Sequence, residues 1–371
     1  MTAALAAAGY HADLAALRRR RREHEAAADP ASPAAAAEVL TLRHREVVLT
    51  GGRPEELLAV ADQVDDALAR FPTWPDLRLL RAGLALAVHR PDQARTVIDA
   101  LPGLADLPPG RVLVADLAQF AGDYRAAREG YLRAAQEDPQ WDTSARLAAL
   151  AAATGDVAEA DTRYDEAEDD LTVKQLRAFA WVRVQRGDLA LSWGDLEGAA
   201  RRYAEADRAY PGWWYVTARR ARLATADERP DDAIAAYRAV LTEVDRPEFR
   251  EGLGTALAAA GRTDEAAACH DAALAAYTAS ADRGETHYLH HLAEFCADIV
   301  PDPPAAVALA ERDARIRRNG TTLSLLGWCL FRAGRTDEAR AAVEEALALG
   351  AGDALLLARA REIGKEGERH A

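Results

Sequence analysis

Three histidines and two carboxylates in one short segment are the side chains of this sequence best suited to chemistry. A helix turns by about 100° per residue, and on a helix these five would fall within an arc roughly 100° wide. They are His287, His290, His291, Glu294 and Asp298. The opposite side of the same helix would be apolar and would pack against the protein. It carries Leu289, Leu292, Ala293 and Cys296.

Part of this polar stripe has the spacing of a metal site. His287 and His291 are four residues apart, and Glu294 follows three residues later. One helix would thereby offer two imidazoles and one carboxylate to a transition metal such as zinc. Tyr288 follows the first histidine, so the segment lacks the HExxH motif, in which a glutamate acts as catalytic base.

Three interpretations of the stripe are open. It could be a solvated face without a special role, a surface that recognises a peptide or small molecule, or a metal site. The metal site would belong to a metal-dependent enzyme or a metal-binding accessory protein. A fourth ligand would have to come from the preceding first helix, if stacking brings that helix close. The candidates there are Glu248, Glu251 and Thr255.

Two aromatic groups are further candidates for binding. Trp328 and Arg332 lie on the outward side of the next predicted helix, where Trp328 could anchor a ligand in a groove. Upstream, three aromatic residues precede three arginines, a combination that could hold an acidic peptide. They are Trp213, Trp214, Tyr215, Arg219, Arg220 and Arg222. A hydrophobic staple followed by exposed charges is the favoured interpretation of this group.

The elements that position these residues repeat from residue 108 onward. Seven markers are separated by 33, 39, 34, 33, 39 and 34 residues: Gly122, Gly155, Gly194, Glu228, Gly261, Val300 and Gly334. Each marker has an alanine five residues later and a small residue seven residues earlier. Four have a tyrosine nine residues later: Tyr131, Tyr164, Tyr203 and Tyr237. Such a period indicates stacked helical hairpins with small residues between close helices, and a core role for the tyrosines.

These units resemble tetratricopeptide repeats, with a glycine-ended first helix followed by alanine, an aromatic residue and alanine. The resemblance implies an all-α, right-handed α-solenoid of roughly nine or ten antiparallel helix pairs. It also implies a concave groove, lined by the first helices, that binds peptides or partner proteins. Two longer units predict extended first helices over roughly 172–193 and 278–299.

The chain is predicted to contain four segments. Residues 1–33 form a helical extension, 34–107 divergent hairpins, 108–350 the repeat array, and 351–371 a capping helix with a polar tail. In the divergent part, Gly83 lies seven residues before a predicted turn at Arg90. The capping helix is expected over Leu355 to Ile363, with the tail starting at Gly364.

The composition limits the classes of partner and the cellular location that are expected. A net charge of −14 argues against nucleic acid or an anionic membrane. The run from Arg18 to Arg22 is an exception, either a solvated helix end or a docking patch for anions. Three cysteines without CxxC spacing predict free thiols in a reducing compartment. No apolar stretch is long enough to cross a bilayer, so a cytoplasmic location is predicted.

The sequence therefore favours a scaffold or adaptor that binds a protein or peptide partner in its groove. No nucleophile or nucleotide motif is present, so enzymatic activity stays undecided and no cofactor is expected beyond the possible metal. A third hypothesis is self-association through the N-terminal helices, which deletion of residues 1–33 would abolish.

Overall fold

The computed structural model describes residues 9–172 and 174–369, and within those ranges it contains α-helices, one 3₁₀ turn (Leu104–Asp106) and no strand. The helices are α1 (Tyr10–Ala27), α2 (Pro33–Leu49), α3 (Pro54–Arg70), α4 (Pro75–Ala87), α5 (Pro91–Asp99), α6 (Pro108–Phe120), α7 (Tyr124–Glu137), α8 (Trp141–Ala153), α9 (Val157–Asp169), α10 (Leu176–Ser192), α11 (Leu196–Ala209), α12 (Trp214–Ala226), α13 (Pro230–Glu243), α14 (Pro247–Ala259), α15 (Thr263–Asp282), α16 (Leu289–Asp298), α17 (Pro303–Ile316), α18 (Gly320–Arg332), α19 (Thr336–Ala348) and α20 (Ala354–Arg369).

Helices α2 to α19 form nine consecutive hairpins, each with an even-numbered first helix and an odd-numbered second helix. Helix α1 precedes them and α20 caps the last one. The hairpin turns explain the repeating markers, because every hairpin turn except the one at Val300 has a residue in the left-handed region. Gly122 has φ of 80°, and Glu228 adopts the same conformation with φ of 53°. The predicted all-α solenoid of helix pairs is confirmed.

The small residues of the repeat lie where paired helices approach each other. Ala127, Ala160 and Ala199 are completely buried. A Cβ atom added at Gly327 would lie 2.8 Å from a methyl carbon of Val343. The four tyrosines are buried as predicted, and two of them also donate a hydrogen bond to a first-helix aspartate. The hydroxyls of Tyr131 and Tyr203 lie 2.7 Å from Asp116 and Asp188.

Several local predictions are wrong. Residues 278–299 are not one first helix, because α15 continues to Asp282 and α16 starts only at Leu289. The left-handed residue of the α4–α5 turn is His89 rather than Arg90, so the small packed residue before it is Ala82 rather than Gly83. The capping helix continues through Gly364 to Arg369. By contrast, α10 is long, as predicted for the segment near 172–193.

The solenoid winds far enough that hairpins of its second turn contact hairpins of its first turn. The turn of hairpin α2/α3 contacts the loop before α14, where Arg246 donates to the Gly51 carbonyl at 2.8 Å. One hairpin further along, Thr286 in the loop before α16 donates to the Val88 carbonyl in the turn of hairpin α4/α5 at 3.0 Å. Further contacts of this type pair residues 196 to 199 positions apart, namely Tyr124 with Gly320 and Phe120 with Asn319. One superhelical turn therefore spans six hairpins, and we call this line of contacts the seam.

The first helices line the inner surface. First helices of successive hairpins contact one another, for example α10 with α12 and α16 with α18. Second helices are spaced more widely, which is the arrangement on the outside of a curved stack. Side chains of adjacent first helices also pair, as Arg219 does with Asp188 at 2.8 Å. Polar residues on these faces consequently meet inside the superhelix.

Candidate functional site

A cavity of about 460 Å³ lies between three successive first helices, α12, α14 and α16. We call it the groove pocket. Its main lining residues are Trp214, Tyr215, Arg219 and Arg222 of α12, Tyr237 of α13, Arg246 just before α14, Glu248, Phe249 and Glu251 of α14, and His291 and Glu294 of α16. A cavity with aromatic walls and several converging polar groups has the composition of a small binding site.

Aromatic rings and arginines form one side of the groove pocket. The Trp214 ring meets Tyr215 edge-on at 5.6 Å and Phe249 at 5.9 Å. The Arg219 guanidinium lies 4.3 Å from the Tyr215 ring centroid and pairs with Asp188. Arg222 makes no salt bridge within the described part of the chain, so its charge is free for a ligand.

Arg246 and Glu248 add polar atoms without partners. The two side chains form a salt bridge with each other. The Nε atom of Arg246 and the Oε2 atom of Glu248 are nevertheless buried and make no hydrogen bond within the described residues. Unpaired buried polar atoms cost free energy unless water or a ligand satisfies them. Both atoms are therefore available to water or to a ligand in the groove pocket.

The acidic side of the groove pocket holds an unusual carboxyl group. The pKa of Glu251 is raised to about 7, chiefly by burial and also by the nearby carboxylates of Glu294 and Glu248, while a hydrogen bond from Tyr277 opposes the rise. That hydrogen bond is 2.7 Å long. Burial and the Glu251 carboxylate raise the pKa of Tyr277, so the phenol keeps its proton. Glu251 is thus a group that can exchange a proton near neutral pH.

The structure brings two residues of the predicted histidine stripe into the groove pocket. The His291 ring stacks parallel to Tyr277 with centroids 6.0 Å apart, and burial lowers its pKa. Glu294 accepts a hydrogen bond of 2.6 Å from Arg359 of the capping helix. Glu248 and Glu251 of the preceding first helix line the same cavity. The stacking thus brings them close to His291 and Glu294, a condition that the sequence alone could not decide.

The other residues of the stripe lie elsewhere. His287 precedes α16, so it lies in the turn and not on the helix face, and burial lowers its pKa to about 4. His290 points towards α17, with Nδ1 3.5 Å from a carboxylate oxygen of the buried Asp313. The prediction of one continuous face was wrong here because the helix starts two residues after His287.

Asp298, Trp328 and Arg332 form a separate group beyond the groove pocket. The Trp328 indole donates to Asp298 at 2.9 Å, and the Arg332 Nε atom lies 3.4 Å from the same carboxylate. The guanidinium of Arg359 lies 5.7 Å from the Trp328 ring, so the capping helix covers one side of the indole. These three residues are therefore joined to each other, and Arg359 connects them to Glu294 of the groove pocket.

The proposed metal ligands His287, His291 and Glu294 are not arranged around a common point. Within the described ranges, no group of three or more histidine, cysteine, aspartate or glutamate side chains is placed to hold a metal ion. The physical reason is the late start of α16, together with the Tyr277 and Arg359 contacts that occupy His291 and Glu294. The absence of another cofactor stays a prediction.

Sequence reasoning missed three residues of the groove pocket: Tyr237, Arg246 and Phe249. Their positions in the repeat could have revealed them: Arg246 and Phe249 lie at the start of the first helix α14, and Tyr237 is one of the repeat tyrosines. Of the upstream group, Trp213 and Trp214 are buried. Trp214, Tyr215, Arg219 and Arg222 line the cavity, whereas Arg220 faces outward and pairs with Asp207. The staple interpretation of the two tryptophans stays a prediction.

Three of the five arginines in the run on α1 form salt bridges with glutamates of the chain. Arg18 and Arg21 both pair with Glu46 of α2, and Arg20 pairs with Glu38. These contacts attach α1 to the first hairpin. The described helices include none that is long and apolar enough to cross a membrane. The cysteines at 269, 296 and 329 are free thiols.

Comparison with known proteins supports the fold. No protein-family model and no curated protein sequence matches the chain. Among solved structures, a chain of the APC/C hetero-tetramer Cut9-Hcn1 is similar with a TM-score of 0.53 at 12% identity, covering 94% of this chain. The present chain spans 59% of the length of that protein.

Two other solved structures are more distantly similar. Human IFIT1, in a dimer with m7Gppp-AAAA, gives a TM-score of 0.49 at 13% identity, covering 92% of this chain and 95% of that one. A tetratricopeptide repeat protein from Parabacteroides merdae gives 0.44 at 17% identity, covering 64% and 92%. Together with the consecutive helix pairs, the similarity at a TM-score of 0.53 supports the helical-hairpin solenoid, the fold of the tetratricopeptide repeat proteins that the sequence resembles.

Proposed function

We propose that this protein is an interaction scaffold that binds an extended peptide segment of a partner protein inside its superhelix. The observation that carries the proposal is the groove pocket, where three successive first helices supply aromatic walls, a free arginine and unpaired buried polar atoms. A peptide offers both backbone donors and acceptors, which suit Glu248 and Arg246. A side-chain carboxylate on the peptide would suit Arg222.

The seam supports an extended segment rather than a folded domain. Hydrogen bonds close the edge of the superhelix wherever its two turns overlap. An extended chain can follow the inner surface past the three first helices of the pocket without breaking these bonds. The net charge of −14 supports a protein partner over nucleic acid. We also propose a cytoplasmic location, which fractionation of cells would test.

The test is selection of peptides from a displayed random library with the intact protein. Selected peptides are synthesised, and their affinity is measured by fluorescence anisotropy. Arg222→Glu reverses the free charge in the groove pocket and should weaken binding at least about tenfold, the effect of losing one charge-assisted hydrogen bond. Arg220→Glu is the matched control, because it makes the same change two residues away on the outer side of α12.

The proposal expects the control variant to bind within about twofold of the unchanged protein. Equal binding of the selected peptides to both variants would show that they do not use the groove pocket. Failure of the selection with correctly folded protein would argue against peptide recognition.

A further inference from the structure

A second cavity, of about 780 Å³, lies near the N-terminal end of the superhelix. It is formed by α1 and α2 on one side and by the starts of α8 and α10 on the other. None of the residues of the groove pocket lines it. We call it the basic cavity because four of its side chains are cationic. They are Arg20, Arg45, Lys174 and Arg177.

The charge of the basic cavity is not balanced from within. Arg20 pairs with Glu38 at 2.7 Å, but within the described ranges the other three cations make no salt bridge. Asp13 is the one carboxylate in the lining, and it already accepts a hydrogen bond of 2.7 Å from Tyr210. Most arginines of this acidic chain are paired with carboxylates, so three unpaired cations around one cavity are an exception.

The backbone adds to the same positive potential. Some second helices of the array follow a capping aspartate, as α9 and α11 follow Asp156 and Asp195, whereas first helices such as α6, α8 and α10 have no side-chain cap. Helix α10 begins at the cavity with Gln175, whose side chain does not cap the helix and instead accepts hydrogen bonds from Thr172. Its first turn contains no acidic residue and contains Arg177. The free N–H groups of this turn and the adjoining cations all favour an anion.

Apolar side chains complete the lining. Trp141 is half-buried and meets Trp181 edge-on at 5.9 Å, which holds its ring in place. Leu17 and Leu176 are partly buried beside it. The cavity thus combines a cationic region with an apolar one.

We propose that the basic cavity binds a phosphate monoester that carries an apolar or aromatic group. The phosphate would contact Lys174, Arg177 and the start of α10, with Arg45 opposite, and the apolar group would cover Trp141. A phosphate with two negative charges matches several converging cations better than a single carboxylate does. This site is independent of the peptide proposed for the groove pocket.

The test uses phenyl phosphate, inorganic phosphate and phenol as probes of the intact protein, by calorimetric titration at constant ionic strength. Phenyl phosphate should bind at a single saturable site at concentrations up to about 10 mM, and more tightly than inorganic phosphate. The double variant Lys174→Gln/Arg177→Gln should bind it at least about tenfold more weakly. The control Arg19→Gln/Arg22→Gln removes the same charge from exposed positions of α1 outside the cavity.

A second variant separates this site from a general effect of positive charge. Ala178 lies in the first turn of α10. Ala178→Glu would place a carboxylate beside the free N–H groups, so it should abolish phenyl phosphate binding while raising the melting temperature. Equal affinity in the cavity and control double variants would overturn the proposal. Binding of phenol or inorganic phosphate as tight as that of phenyl phosphate would also overturn it, as would no saturable binding at all.

Discussion

Glu251→Gln should stabilise the protein in alkaline solution, although it alters a residue of the groove pocket. Folding raises the pKa of this carboxyl from 4.5 to about 7, chiefly by burial. Between pH 4.5 and about pH 7, the Glu251 carboxyl therefore keeps its proton in the folded protein, whereas it has lost that proton in the unfolded chain. Stability is highest below about pH 4.5, falls as pH rises to about 7, and stays reduced above it.

The size of the effect follows from the pKa values. Each unit of pKa difference corresponds to about 1.4 kcal/mol, so ionised Glu251 lowers the free energy of unfolding by ~3 kcal/mol above pH 7. Glutamine cannot ionise, and its side-chain oxygen can still accept the hydrogen bond from Tyr277. The variant should be more stable than the unchanged protein by ~3 kcal/mol at about pH 8.5 and nearly equal to it near pH 4.5.

The assay is urea unfolding of both proteins at these two pH values, followed by tryptophan fluorescence. The control is Glu197→Gln on α11, a carboxylate whose side chain is 88% exposed. It should change the free energy of unfolding by less than about 0.5 kcal/mol at either pH. If Glu251→Gln is equally stable or less stable than the unchanged protein at pH 8.5, the carboxyl is not ionised at a cost in this cavity.

Three further perturbations test the packing, the seam and its histidines. Ala266→Leu should lower the free energy of unfolding by roughly 1–3 kcal/mol because the site is buried between paired helices, whereas Ala268→Leu, exposed on the same helix, should not. Trp214→Phe removes the 2.9 Å hydrogen bond from the indole to the Leu49 carbonyl of α2, and it should lower the free energy of unfolding by about 1 kcal/mol. Hydrogen exchange in α1 and α2 should become faster. Unchanged exchange would contradict the idea that this bond helps to hold the two turns of the superhelix together. Burial lowers the pKa of His89 to about 3 and that of His287 to about 4, so their contribution to stability is complete above about pH 6.5 and is lost as pH falls. Protection from hydrogen exchange around the α4–α5 turn, corrected for the intrinsic exchange rate at each pH, should therefore decrease as pH is lowered from about 6.5 to about 5, and less so in His287→Asn.

Much of the fold was predictable because it depends on residues close in sequence. A left-handed turn residue, small residues at two fixed offsets and a tyrosine all act within one hairpin of about 34 residues. Even Glu228, a departure from the glycine pattern, adopts the predicted conformation. The unit with Val300 was harder, because Val300 does not take a left-handed turn and the buried alanine shifts from Ala305 to Ala306.

The groove pocket was only partly predictable, for a related reason. His291 and Glu294 could be recognised from their spacing on one helix, and Glu248 and Glu251 from the expected stacking of first helices. The boundary of α16 decides that His287 is excluded, and a helix boundary depends on local turn geometry that periodicity does not resolve. The seam could not be predicted, because it joins residues 195 to 199 positions apart and depends on the curvature summed over six hairpins.

Arg246 connects the seam with the groove pocket, and this connection bears on how the pocket keeps its shape. Its guanidinium donates to the Gly51 carbonyl in the first hairpin and pairs with Glu248 in the pocket wall. Gly51 has no room for a larger side chain, since an added Cβ would lie 2.6 Å from Val244 in the loop before α14. The two turns of the superhelix must therefore remain close for Arg246 to satisfy both contacts. A site built from three neighbouring hairpins consequently depends on a fourth that lies six hairpins earlier, so the pocket is a property of the wound superhelix and not of its local repeats alone.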